Sequence, residues 1–308
     1  MAFRIRTGES LSRGLRRVAK KELRSARNAL LKSCPPHEEA IHEARKSLKK
    51  VRAVMDLIAA DDGRGLAGCR KRIRKVNRTL SDLRDADAML VILTKLRKAY
   101  PRALDELTFA RMRRRLLSRK HASVKAADAD GIWKRVDRDL RKLRQKAARW
   151  RPAHRRFGAL APGIRSTYRR GRKALARARK RQRAADFHQW RKQIKALWYQ
   201  LRLLERCSPG VGADVRALHQ AETWLGDDHN VVVLCAELGK DPSLRSGADL
   251  QAVADRYQRD LRRKTIASAG GIYRSTPGNY VRRIKDAWKA SRRRISVKQT
   301  RSHRRAAA

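Results

Sequence analysis

Aromatic residues are scarce in this sequence, at 5% of 308 positions, and so are acidic ones, with 29 Asp and Glu against 80 Lys and Arg. The four cysteines, Cys34, Cys69, Cys207 and Cys235, stand far apart without a CxxC pair. Zinc and redox chemistry are therefore not expected, and the thiols read as free. No apolar run approaches the ~18 residues that span a bilayer. The start, Met1-Ala2-Phe3-Arg4-Ile5-Arg6, lacks the apolar stretch of a secretory signal. A soluble, cytoplasmic protein is the expectation. Val/Ile/Thr alternation of the strand kind is missing. So are a P-loop, a carboxylate cluster and a clear metal site, which makes a phosphoryl-transfer enzyme the weakest function class.

What the chain has is positive charge, a net +51, on a sequence that is 41% apolar. That apolar share supports a packed core rather than a disordered basic tail. Such a field attracts polyanions and opposes folding by self-repulsion. Nucleic acid, inorganic polyphosphate and an anionic membrane surface all fit, and charge alone does not rank them.

One stretch organises the rest. Ile41, Ala44, Leu48, Val51, Met55 and Ile58 are spaced 3, 4, 3, 4 and 3, a single stripe of an α-helix. His42, Arg45, Lys46 and Lys49 form a second, cationic stripe beside it. The pattern recurs 146 positions later: Phe187, Trp190, Ile194, Leu197, Leu201 and Leu204 repeat the apolar spacing, while His188, Arg191, Lys192 and Lys195 answer the cations. With only 8 histidines in the chain, the matched pair indicates an internal duplication.

The remainder predicts helices almost throughout, because Ala, Leu, Arg and Lys dominate. A first helix from Leu11 to Leu31 stops at Cys34-Pro35-Pro36, and the His42 helix ends near Asp61-Asp62-Gly63. A third runs from about Leu66 to Leu80, and Ser81 or Asp82 caps a fourth that ends at Tyr100-Pro101. A long basic helical segment follows to about Trp150, and Arg151-Pro152 and Ala161-Pro162-Gly163 bracket the junction between halves. The second half predicts helices from Ile164 to about Arg183, from His188 to Glu205 and from Ala213 to Trp224. A break at Leu225-Gly226-Asp227-Asp228-His229-Asn230 then leads into 231–238. The expected organisation is one all-α domain over 1–290, with repeats at about 5–150 and 160–285 related by a pseudo-twofold axis. Residues 291–308 are expected to form a disordered cationic tail.

The doubled His-x-x-Arg-x-x-x-Lys helix resembles the CHAD domain, the conserved-histidine α-helical domain. So does the segment some forty residues after each copy, Leu80-Ser81-Asp82-Leu83-Arg84-Asp85 and then Leu225 to Asn230. The resemblance covers most of residues 5–290. It implies two four-helix bundles in pseudo-twofold symmetry and a cationic cavity that binds inorganic polyphosphate, on bacterial polyphosphate granules. Carried over residue by residue, it points to His42, Arg45, Lys49, Lys50 and Arg52 and to His188, Arg191 and Lys195. The chain departs from the pattern at Trp198, where a basic residue is usual, and at Asn230, where the first half has Asp85. Nothing resembles the Glu-x-Glu-x-Lys strand of a CYTH triphosphatase, so a stand-alone module is expected.

Polyphosphate carries one negative charge per unit along a flexible chain, so its receptor needs Arg forks and Lys point charges along a track. Helical cations one turn apart supply that. Lys46, Lys192 and Arg202 join the candidates, as do Arg74, Lys75 and Arg78 before Asp85 and Arg165, Arg169 and Arg172 before His188. An isolated Arg or Lys reads as a solvated face, and the positions repeated in both halves read as ligand contacts. His42 and His188 have two open roles, as phosphate donors or as structural residues bonded to a neighbouring helix. Asp85 and Glu205 are expected to hold arginines or cap helices, and Asp227 and Asp228 to cap. Trp190 is assigned to the core, while Trp198 and Tyr199 are candidates for base stacking. The leading reading is a non-enzymatic polyphosphate binder without cofactor or metal. The alternative is a sequence-nonspecific nucleic-acid binder.

Overall fold

Apolar residues at three- and four-residue spacing, on a chain rich in helix formers, give helices and, among the described residues, no strand. The computed structural model describes residues 3–6, 8–32, 36, 38–58, 66–82, 85–102, 106–129, 131–150, 157–240 and 248–306. At 82, 85–86, 123–129, 209, 248–249 and 292–306 it describes the backbone alone. Among the described residues six helices cover the first half: α1 (Leu11–Leu30), α2 (Glu38–Ile58), α3 (Ala67–Asp82), α4 (Asp85–Ala99), α5 (Glu106–Ala129) and α6 (Ile132–Ala148). Five cover the second: α7 (Ala161–Arg181), α8 (Ala184–Leu204), α9 (Gly212–Leu238), α10 (Ala248–Ala269) and α11 (Pro277–Ala306). Helix starts at Leu11, Glu38, Ala67, Glu106 and Ile132 are answered in order by starts at Ala161, Ala184, Gly212, Ala248 and Pro277.

The structure departs from the sequence reading at five places. Ser81 lies inside α3, which runs through Asp82, and so does not cap the following helix. The basic segment after Tyr100 is two helices, because Gly131 takes a left-handed φ of 60° before α6. Helix α7 opens at Ala161, earlier than the Ile164 start expected, and takes Pro162 and Gly163 into its first turn, where proline is well placed. The expected break at Gly226 is absent: α9 is continuous, so Asp227 and Asp228 are interior residues and not caps. Finally, α11 continues to Ala306 through the segment expected to be disordered. Ala, Arg, Lys and Gln extend an established helix at little cost even without an apolar face.

The apolar residues form two clusters, and neither belongs to one half. The larger joins α1, α2, α3 and α6 to α7, α8, α11 and the first part of α9. The smaller combines Met89, Ile92 and Leu96 of α4 and Met112 and Leu116 of α5 with Val231, Leu234 and Leu238 of α9 and Val253 of α10. Trp190 is fully buried, and Trp198 and Tyr199 are buried as well, at 6% and 2% exposure, which removes both as platforms for base stacking. Cys69 and Cys207 are buried and Cys235 is half-buried, and none of the three is in a disulfide. Cys34 and the Pro35 stop lie outside the described residues.

Helix α2 packs on both α7 and α8. Where it meets α7 the backbones touch: a Cβ built on Gly163 would lie 2.1 Å from the Leu57 carbonyl oxygen. That approach sets α2 low against the second half and brings its cationic stripe to face that of α8.

Candidate functional site

The stripes on α2 and α8 meet in a cleft of about 500 Å³ walled by α3, the start of α4 and the middle of α9. Helix α2 supplies Arg45, Lys49 and Arg52, α3 supplies Arg74 and Arg78, and α8 supplies His188, Arg191, Lys192 and Lys195. Asn77, Ser81, Met89, His229 and Asn230 complete most of the wall. Among its described lining residues there are eight Arg or Lys and no carboxylate. So Arg45 and Lys49 share one cavity with Arg191 and Lys195, the residues that answer them in the sequence pattern.

Each of these side chains is held by local structure. The Arg45 Nη1 donates to the Leu80 carbonyl at 2.8 Å, in the last turn of α3 where the helix dipole favours a cation. Arg191 lies flat against α9 because Gly226 has no side chain; a Cβ there would stand 3.3 Å from its Nη2. Glu222, just behind the cleft surface and 12% exposed, pairs with Lys195 and lies 3.5 Å from the Arg191 Nη2. Burial opposes ionisation of Glu222, but Lys195 and Arg191 outweigh it and hold the carboxyl below its usual range.

Burial also pushes the half-buried Lys49 ammonium well below the usual lysine range. Lys195, Arg45 and Arg191 add to that effect and Glu222 opposes it. The rings of His188 and His229 lie 4.1 Å apart across the α8–α9 contact. Burial, then Lys192 and Arg191, lower His188 from 6.5 to about 4. Burial, then His188, Arg191, Lys192 and Lys49, lower His229 to about 3. Both rings are thus neutral near pH 7, and the buried His188 Nδ1 has no hydrogen-bond partner. A compressed set of cations with suppressed protonation can accept a polyanion, which compensates the charge they repel.

Other sequence candidates lie elsewhere. His42 is half-buried on α2 and does not line the cleft, although His188 does. Lys50 faces α1, where it pairs with the buried Glu22 at 2.9 Å. Lys46 reaches Glu43 of its own helix at 3.0 Å. Lys75 is exposed on α3 away from the cavity, and Arg165, Arg169 and Arg172 are exposed on α7. Arg202 packs over the Trp198 ring at 5.5 Å. Glu205 binds Arg4 at 2.7 Å, the arginine-holding role expected of it, while the side chain of Asp85 lies outside the described residues. Asp227 pairs with Lys95, and the buried Asp228 accepts from Arg262 at 2.7 Å and Gln258 at 3.1 Å, so both serve packing between helices.

Sequence reasoning missed Glu222, His229 and Asn77 as site residues. A signal for two of them was present: the register that sets Asp85 against Asn230 also sets Asn77 against Glu222. It places an anion in one half of the site where the other has a neutral amide.

The comparisons with known proteins agree on the architecture. The family model described as CHAD domain matches residues 17–239. No curated protein matches the sequence. The crystal structure of the CHAD domain from the plant Ricinus communis superposes with a TM-score of 0.52 at 19% identity, over 95% of this chain and 96% of that one.

Proposed function

Since the chain belongs to the CHAD domain family, we propose that its central cleft binds inorganic polyphosphate and that the protein sits on polyphosphate granules as a binding rather than a catalytic component. The observation that carries this reading is the lining itself, eight Arg or Lys drawn from both repeats with no carboxylate among the described lining residues. Each phosphate of a threading chain would meet charge-assisted hydrogen bonds and release counterions. The stacking aromatics a single-stranded nucleic-acid site would use are buried, which favours a ligand without bases. Among the described residues there is also no group of His, Cys, Asp and Glu able to hold a metal, and the reading invokes none.

The test is binding of long-chain polyphosphate near physiological ionic strength, ~150 mM, with duplex DNA in excess. The intact chain is compared with one lacking residues 291–308. Tight binding that survives both DNA and truncation is expected. Binding abolished by either would leave only a generic polycation.

The histidine pair adds a pH dependence. In the empty protein His188 and His229 are held below their unfolded value, so the unfolded chain binds more protons as pH falls. Their contribution to stability is full above 6.5 and is lost as pH falls toward about 4 and about 3. A bound polyanion favours the protonated rings and reverses that loss. The rise in melting temperature on adding polyphosphate should therefore grow from neutral pH to about pH 5, the flank on which an unperturbed His titrates. A His188→Asn, His229→Asn double variant should flatten that growth. An equal rise at both pH values in the wild type would remove the histidines from the site.

A further inference from the structure

The two halves of the cleft are not electrically equivalent. On the second side Glu222 lies under Arg191 and Lys195 and pairs with both. On the first side the same register places Asn77, and among the described residues no carboxylate pairs with Arg52, Arg74 or Arg78. Arg52 is half-buried, and Arg74 and Arg78 are exposed, so their guanidiniums reach the cavity with their donors open to a ligand. Glu222 is 12% exposed, Arg191 20% and Lys195 19%, so this pairing is poorly screened by water.

We propose that Glu222 is a built-in counter-anion that stands in for one phosphate of the ligand, confines polyphosphate to the Arg52, Arg74 and Arg78 side of the cleft, and holds its affinity down. The proposal rests on the polyphosphate reading of the same cleft. Its physical basis is competition. A phosphate approaching Arg191 and Lys195 meets donors already engaged and a fixed negative charge behind them. The same carboxylate keeps the empty cleft from bursting under its own repulsion, since Lys49 also feels it. Affinity is exchanged for stability of the unliganded state at a single residue.

The test uses the full chain with two variants and long-chain polyphosphate. Glu222→Gln removes the charge and leaves the shape. It should melt lower than wild type when empty, bind polyphosphate about tenfold or more tightly, and steepen the dependence of log K on log salt by about one. Glu222→Gln combined with Lys195→Met deletes anion and partner together and restores the charge balance should the single variant not fold. It should lose the tightening seen in Glu222→Gln and bind about tenfold more weakly than that single variant, because the tightening comes from the donors that Glu222 releases. Unchanged or weaker binding by the single variant overturns the proposal. So does a double variant that binds as tightly as Glu222→Gln, since the gain would then not come from the donors that Glu222 engages. Failure of the wild type to bind polyphosphate at all overturns the reading of the cleft itself. Binding by the wild type with no tightening in Glu222→Gln overturns only the role of Glu222.

Discussion

Replacing Gly163 by alanine should destabilise the protein by about 3 kcal/mol or more, the upper end of what overpacking costs. The added Cβ would sit 2.1 Å from the Leu57 carbonyl oxygen and 2.6 Å from the Leu57 carbonyl carbon and Cα. These are backbone atoms in the last turn of α2, so no side chain can rotate to relieve the overlap. The helices must part, and the apolar residues on both sides of the crossing lose contact with them. For a chain of this size the corresponding fall in melting temperature is about 5 °C or more. Gly68→Ala is the matching control. Nothing lies within 4 Å of a Cβ there, inside α3, so better helix propensity should leave the protein as stable as before or slightly more so. If both variants melt together with wild type, the backbones of α2 and α7 do not touch. Because α2 carries Arg45, Lys49 and Arg52, the Gly163 variant should also bind polyphosphate more weakly at temperatures where it remains folded.

The second large effect is on binding. Arg74→Glu with Arg78→Glu should weaken polyphosphate binding on the order of a thousandfold, the loss of two charge-assisted contacts of ~2 kcal/mol each. Both side chains are exposed on α3, so the substitutions should leave melting unchanged or raise it in a chain of net charge +51. The control is Arg165→Glu with Arg169→Glu, which makes the same change in net charge on the exposed face of α7, outside the cleft. Screening over that distance should hold its effect below about tenfold. Equal losses in the two pairs would mean that polyphosphate follows the overall field of the molecule and has no site.

Much of this arrangement was legible in the sequence because a helix writes its faces at fixed spacing. The Ile41–Ile58 stripe and its echo at Phe187–Leu204 identified α2 and α8, and the apolar residues named in them are all buried. The cations beside each stripe, Arg45 with Lys49 and Arg191 with Lys195, do share a cavity. What spacing could not convey was the partner of each face. Lys50 follows Lys49 directly, yet a rotation of 100° turns it toward Glu22, and Lys46, on the same stripe as Lys49, pairs with Glu43 of its own helix. The continuity of α9 through Gly226 was hidden for a related reason. A glycine in sequence reads as a break, whereas here it makes room for the Arg191 guanidinium arriving from another helix. Glu222 was overlooked because its importance comes from what surrounds it, one carboxylate against Lys195, Arg191 and Lys49.

The interleaved core has a consequence for how such a molecule could change over time. Met89, Ile92 and Met112 of one repeat are buried against Val231, Leu234 and Val253 of the other, so the seam between repeats is built like a subunit interface. A volume gained on one side must be given up on the other. The two halves are thus separate in their order along the chain but joined in their cores. Neither half keeps a closed core of its own if it is cut from the other.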